Sequence, residues 1–130
     1  MKLKNEIGKR GEDSMVFNTG AALLDAIVLA VVSHDAEGTY GYKITQDVRQ
    51  AIEISESTLY PVLRRLQKDG CLETYDMEYG GRNRRYYRIT EAGAAQLNLY
   101  KSEWRIYSEK ISSFSMVATP SVMHFITEYD

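Results

Sequence analysis

A single cysteine, Cys71, leaves the chain without an internal disulfide, and no Cys/His spacing resembles a zinc site. Stability must therefore come from a packed core, and the lone thiol suits a reducing cytoplasm; it is expected to be a small buried residue. Long hydrophobic runs are also missing. The longest apolar stretch, Ala26 to Val32, falls far short of the ~18 residues that suggest a membrane span, and Met1-Lys2-Leu3-Lys4 leads into polar residues rather than an apolar leader, so neither export nor membrane insertion is expected. No phosphate-cradling glycine loop occurs. Ser33-His34-Asp35 holds the letters of a hydrolytic triad, but adjacent side chains do not generally converge as nucleophile, base and orienter; His34 fits better as a cation near a helix C-terminus, and His124 has no evident partner. No enzyme activity, metal or cofactor is expected. A strong positive charge is absent too: the net charge of −2 excludes a protein that coats nucleic acid by bulk charge, so any such binding must use locally clustered cations.

What is present is an ordinary globular composition, 44% hydrophobic and 26% charged in 130 residues, enough for one domain with its own core. Residues 1–18 are polar, with Gly8 and Gly11 interrupting any helix, and read as a flexible arm whose Lys2, Lys4, Lys9 and Arg10 either stay solvated or brush phosphates. From Ala21 to Ser33, Leu23, Leu24, Ile27, Val28, Val31 and Val32 recur at helical spacing, with Asn18 or Thr19 as the cap. Ala36-Glu37-Gly38-Thr39 reads as a turn. Tyr40 to about Ala51 reads as a second helix on Ile44 and Val48. Ser55 caps a third that Gly70 ends, with Glu56 in its first turn and Pro61 expected to bend it slightly. Leu72 to Tyr79 and Arg84 to Thr90 alternate as two strands about Gly80-Gly81, with Tyr75, Met77 and Tyr79 sharing a face. Thr90 caps a long last helix. There Leu97, Tyr100, Trp104, Tyr107, Ile111 and Phe114 follow at spacings of three and four, an uninterrupted seam that needs a partner helix. Met116 to Asp130, with Pro120, forms either a short helix or a loose tail.

The fold class expected is mainly α with a small β-hairpin: a winged helix-turn-helix over residues 19–90 after the 1–18 arm, a dimerisation helix over 91–115, and a tail over 116–130. In the third helix Leu59, Val62, Leu63 and Leu66 must face the core, which leaves Ser57, Thr58, Tyr60, Arg64, Arg65 and Lys68 partly or wholly outward. Hydroxyls followed by cations suit a helix in a major groove, although the same residues could merely keep an amphipathic helix soluble. The hairpin adds Arg82, Asn83, Arg84 and Arg85 at or near its tip, fit to lie along phosphates or enter a narrow minor groove. Parity puts Arg84, Tyr86 and Arg88 on one strand face and Arg85 with Tyr87 and Ile89 on the other. Arg88 is as fit to pair with Glu73 or Asp76 as to contact DNA.

Thr58-Leu59-Tyr60-Pro61 with Leu63, Arg65, Leu66 and Gly70, then Gly81-Arg82, Arg85-Tyr86-Tyr87, Ile89-Thr90 and Gly93, resembles the signature of PadR-type transcriptional regulators. Gly41-Tyr42 with Ile44 matches their second helix. The resemblance spans about residues 20–114 and implies a bacterial repressor of the family's smaller class, a homodimer joined through the last helix with help from the first, bound to double-stranded DNA at a pseudo-palindromic promoter site. It carries DNA contacts to Tyr42, Ser57, Thr58, Tyr60, Arg64 and the wing arginines; Lys43, beside Tyr42, joins them. It also places Trp104 where some small members bind flat aromatic drugs, against the plainer reading of interface packing. Departures from the family are the long polar arm and Glu53 and Glu56 close to the expected DNA face. Two alternatives use the same fold: a winged-helix module that binds protein, and a small-molecule sensor with no working DNA surface.

Overall fold

The computed structural model describes residues 19–117, and the expectations for the 1–18 arm, Asn18, Pro120 and His124 fall outside them. Among the described residues the chain forms α1 (Thr19–Ser33), β1 (Thr39–Tyr40), α2 (Gly41–Val48), α3 (Glu56–Lys68), β2 (Leu72–Tyr79), β3 (Arg82–Ile89) and α4 (Glu91–Phe114). The strands make one antiparallel sheet in the order β1-β3-β2.

The core follows from the helical periodicities. Val28, Leu29 and Val32 of α1, Ile44 and Val48 of α2, and Leu59, Leu63 and Leu66 of α3 are buried, closed from below by Leu72 and Tyr87 of the sheet and by Cys71. Each end of α3 is built as its sequence dictates. The Thr58 amide donates to Ser55 Oγ at 3.3 Å; at the other end Cys71 N–H reaches the Leu66 carbonyl and Gly70 N–H the Gln67 carbonyl, with Gly70 at φ +83°. This paired closure needs a left-handed residue, hence glycine. The helix runs through Pro61, which leaves the Ser57 carbonyl without its usual donor.

The sheet differs from the expected two-stranded hairpin. A third strand, β1, pairs Thr39 with Tyr87 and Tyr40 with Tyr86, in the segment read as a turn and a helix start; two residues are too few to show an alternating pattern. The second helix accordingly begins at Gly41 and ends at Val48, with hydrogen-bonded turns continuing to Ile52. The second hairpin strand starts at Arg82 rather than Arg84, so the wing closes in two residues, Gly80 and Gly81, at φ +63° and +80°. Positive φ at both positions matches the twist of a tight hairpin and is open to glycine at little cost.

Thr90 roots α4. Its hydroxyl accepts from Gly93 N–H at 2.9 Å and donates to the Gly70 carbonyl at 2.6 Å, tying the last helix to the end of α3. The seam read along α4 then divides. Leu97 and Tyr100 pack on the chain's own core beside α1, whereas Trp104, Tyr107, Ile111 and Phe114 are 51%, 44%, 66% and 78% exposed.

Candidate nucleic-acid interface

Helix α3 sorts its polar residues by what lies beside them. Ser57 and Thr58 are exposed and share the Ser55 hydroxyl, at 3.0 and 3.2 Å. Arg64 and Lys68 are exposed, and neither has an ion-pair partner among the described residues. Tyr60 is half-buried, laid so closely over Gly41 that a Cβ there would stand 2.5 Å from its hydroxyl; burial and then the Glu56 charge push the phenol pKa up. The start of α2 and the middle of α3 are thereby held together by a missing methyl.

Arg65 is exposed, as expected, yet its guanidinium is engaged by carboxylates. Its guanidinium makes two bonds to Asp25 of α1, one at 3.1 Å, and lies 4.0 Å from Asp69. Asp25 is buried, and Tyr100 of α4 approaches the same carboxylate at 3.4 Å. A buried carboxylate without a cation would be costly, so Arg65 turns to it and acts as a strut among α1, α3 and α4. The hydrogen bond to Asp25 in turn raises the Arg65 pKa. Asp25 lies forty positions from Arg65 in the chain, and no local pattern joins them.

The wing is partly self-neutralised. Arg88 pairs with Glu73 at 2.8 Å, one of the two partners expected for it, and Arg85 lies 3.4 Å from Asp76. Lys43, at the start of α2, pairs with Asp47 at 3.0 Å, and that bond raises its pKa; an exposed pair of this kind is weak and leaves the cation usable. Arg82 and Arg84 have no ion-pair partner among the described residues. Strand parity holds as read: Arg84, Tyr86 and Arg88 lie on one face, opposite Met77, Tyr75 and Glu73, and Arg85 shares the other with Tyr87 and Ile89.

These parts converge. Tyr40 of β1, Gly41 and Tyr42 at the start of α2, Tyr60 of α3, and Tyr79, Gly80, Arg82, Asn83, Arg84, Arg85 and Tyr87 of the wing line one cleft of about 720 Å³. Ser57, Thr58, Arg64 and Lys68 are not among its lining residues, and Glu53 sits with Arg49, Ile54 and Ser55 in a different recess. Tyr40, Tyr79 and Tyr87, with Gly41 and Gly80, line the cleft without having been expected as site residues. The parity of Tyr79 was legible, but Tyr40 reaches the cleft only because β1 pairs with β3.

Residues 28–99 match the profile of the transcriptional regulator PadR-like family. The chain belongs to that family. It is similar to smu.1704 from Streptococcus mutans, with 37% identity and a TM-score of 0.67 over 77% of this chain and 94% of that one. It is also similar to transcriptional regulator Rv3488 of Mycobacterium tuberculosis, 40% identical over 74 residues, 55% of this chain and 69% of that one. Its fold matches that of Bacillus subtilis PadR, solved in complex with operator DNA, at a TM-score of 0.56 and 21% identity, over 72% of this chain and 61% of that one. PadR-like proteins are transcriptional regulators, not enzymes. This PadR-like chain has a second concavity, an apolar groove of about 460 Å³ between α1 and α4, where Leu23, Ala26 and Ile27 face Leu97, Trp104 and Tyr107. Among the described residues no helix is long and apolar enough to cross a membrane.

Proposed function

We propose that this PadR-like chain is a sequence-specific repressor that binds double-stranded DNA as a cytoplasmic homodimer. The observation that carries the reading is the convergence of the α2 start, Tyr60 and the basic wing on one cleft. Tyr42, Lys43, Ser57, Thr58, Tyr60, Arg64, Lys68, Arg82, Asn83, Arg84 and Arg85 are the DNA-facing set, and Arg65 is left out as a strut. Bacillus subtilis PadR, whose fold this chain shares, was solved in complex with operator DNA, which supports the DNA-binding reading.

The twofold rests on α4. Trp104, Tyr107, Ile111 and Phe114 form an apolar stripe continuous with Leu97 and Tyr100, and a second α4, with α1 alongside, is the cover that fits it. Two heads held this way read half-sites about 10 bp apart, or a multiple of that, in a pseudo-palindromic promoter site. A planar aromatic effector beside Trp104 lowers affinity by favouring a dimer state whose heads are wrongly spaced; the apolar α1–α4 groove supports this regulatory reading.

Gel-shift titration of the full chain on the duplex upstream of its own gene tests the proposal. Binding that weakens steeply with salt, by a species of dimer mass, is expected; no binding at low salt refutes it. Charge reversal at Arg84 and Arg85 separates a repressor, which loses DNA, from a protein adaptor, which loses a partner. Fluorescence of Trp104, the only tryptophan, reports on the effector: a signal unchanged across aromatic drugs and phenolic acids removes the ligand from the scheme.

A further inference from the structure

The four wing arginines are not equivalent. Arg85 and Arg88 have carboxylates at 3.4 and 2.8 Å. Arg82 is exposed, and neither an acid nor an aromatic face lies against it among the described residues. Arg84 alone is half-buried without a counter-charge, and what covers it is aromatic: its guanidinium carbon lies 4.0 Å from the centre of the Tyr40 ring and 4.1 Å from that of Tyr79. One cation is held between two rings that come from different elements.

The sheet register explains the arrangement. Tyr79 faces Arg82, and Tyr40 faces Tyr86, so each tyrosine lies diagonal to Arg84 across β3, within reach of long side chains. The clamp is braced behind. Tyr40 meets Tyr86 edge-on at 5.7 Å, Tyr86 stacks on Tyr75 at 5.4 Å, and the Tyr75 hydroxyl donates to the Glu37 carbonyl. Arg88 covers Tyr75 in turn, 4.9 Å from its centre.

Resting on the DNA-binding reading above, we propose that Arg84 is the wing's preorganised phosphate-gripping group, and that Tyr40 and Tyr79 are positioning residues that hold its guanidinium. Aromatic faces attract the weakly hydrated faces of a guanidinium and leave its N–H edges free. Those edges form the planar fork that matches two phosphate oxygens. A free arginine must be immobilised when it binds, whereas one already stacked has lost most of that freedom beforehand, so the grip is gained at lower entropic cost. Lysine carries the same charge but neither stacks as a plane nor forms the fork. Arg84 lines the cleft shared by α2, Tyr60 and the wing, and the proposal places the gripped phosphate at that cleft.

The test uses the full chain and two probes, the duplex upstream of its own gene and a random-sequence duplex of equal length, titrated over a range of salt. Tyr79 is 61% exposed, so Tyr79→Leu removes one wall of the clamp with little threat to folding. Tyr79→Leu and Arg84→Lys are each expected to weaken binding to both probes by roughly three- to tenfold, with the salt slope nearly unchanged because no charge is lost. Arg84→Ala should in addition make the slope shallower by about two for a dimer. Tyr79→Phe, which restores the ring without the hydroxyl, should bind like the parent chain. Parental affinity in Tyr79→Leu or in Arg84→Lys overturns the proposal, and so does Tyr79→Phe binding as weakly as Tyr79→Leu, since the hydroxyl would then be the contact. A parent chain that binds neither probe at low salt refutes the DNA-binding reading itself, a result distinct from any of these.

Discussion

Replacing Gly93 with alanine should unseat the root of α4. A methyl there would stand 2.9 Å from the Cys71 carbonyl carbon, closer still to its oxygen, and 2.9 Å from Ile89 Cγ1. The obstacle is backbone, which cannot swing aside as a side-chain tip can. Restoring ordinary separation requires α4 to shift, and the same Cys71 carbonyl accepts the Thr90 amide at 3.1 Å while Thr90 caps Gly93. Overpacking of this kind costs about 1–3 kcal/mol, and a weakened cap adds about 1 kcal/mol. Against this, alanine in place of glycine in a helix gains at most about 1 kcal/mol. The clash wins, for a net loss of about 1–3 kcal/mol and a fall in Tm of roughly 4–8 °C for each kcal/mol lost. Gly20→Ala is the internal control, since nothing lies within 4 Å of its added Cβ; it should be neutral or stabilising by up to ~1 kcal/mol. Urea denaturation followed by circular dichroism at fixed chain concentration measures both. A Gly93→Ala chain as stable as the Gly20→Ala chain would mean that α4 does not seat on Cys71, and the geometry of the dimer arm would have to be redrawn.

Removing the strut should also be costly: Arg65→Ala strands the buried Asp25 carboxylate, and because the Arg65 side chain is 45% exposed the usual cost of a broken buried pair shrinks to about 2 kcal/mol. Arg64→Ala, one residue away, should stay within about 0.5 kcal/mol of the parent, and equal losses in the two urea curves would contradict the pairing. Burial pushes up the pKa values of the Cys71 thiol and of the Tyr87 and Tyr100 phenols. Groups whose folded pKa lies above the unfolded value stabilise fully below the unfolded pKa and lose that contribution as pH rises through the folded one, so the urea midpoint should hold from neutral pH to about 9 and fall beyond; a midpoint that climbs in that window would contradict the burial of these groups. Arg64, Lys68, Arg82 and Arg84, the interface cations without an ion-pair partner among the described residues, give about eight phosphate contacts per dimer and a logarithmic salt slope near −7. A slope shallower than about −3 would show that most of them point away from the duplex.

Much of this was legible in the chain because it is local. The three buried leucines of α3, its serine cap and its glycine stop lie within one short stretch, and so do the hydroxyl and carboxylate at the start of α4. The parity of β3 sorted its arginines correctly because strand side chains alternate whatever the strand pairs with. What escaped depends on tertiary partners. Arg65 carries the same local signature as Arg64, and only the distant Asp25 tells them apart. Strand β1 is too short to announce itself, and without it Tyr40 has no reason to meet Arg84. The division of the α4 seam likewise follows from where α1 ends its contact with α4, a property of packing rather than of heptad spacing.

The two glycines at the turn of the hairpin have a geometric consequence for any surface the wing meets. With no side chain at either apex position, the ribbon ends as a thin blade of bare main chain, and its widest groups, Tyr79 and Arg82, stand one step back from the edge. Such an edge can slip into a crevice that a bulkier tip would bridge. Any other residue at position 80 or 81 would both strain the bend and thicken the blade, so depth of insertion and identity of the apex are fixed together.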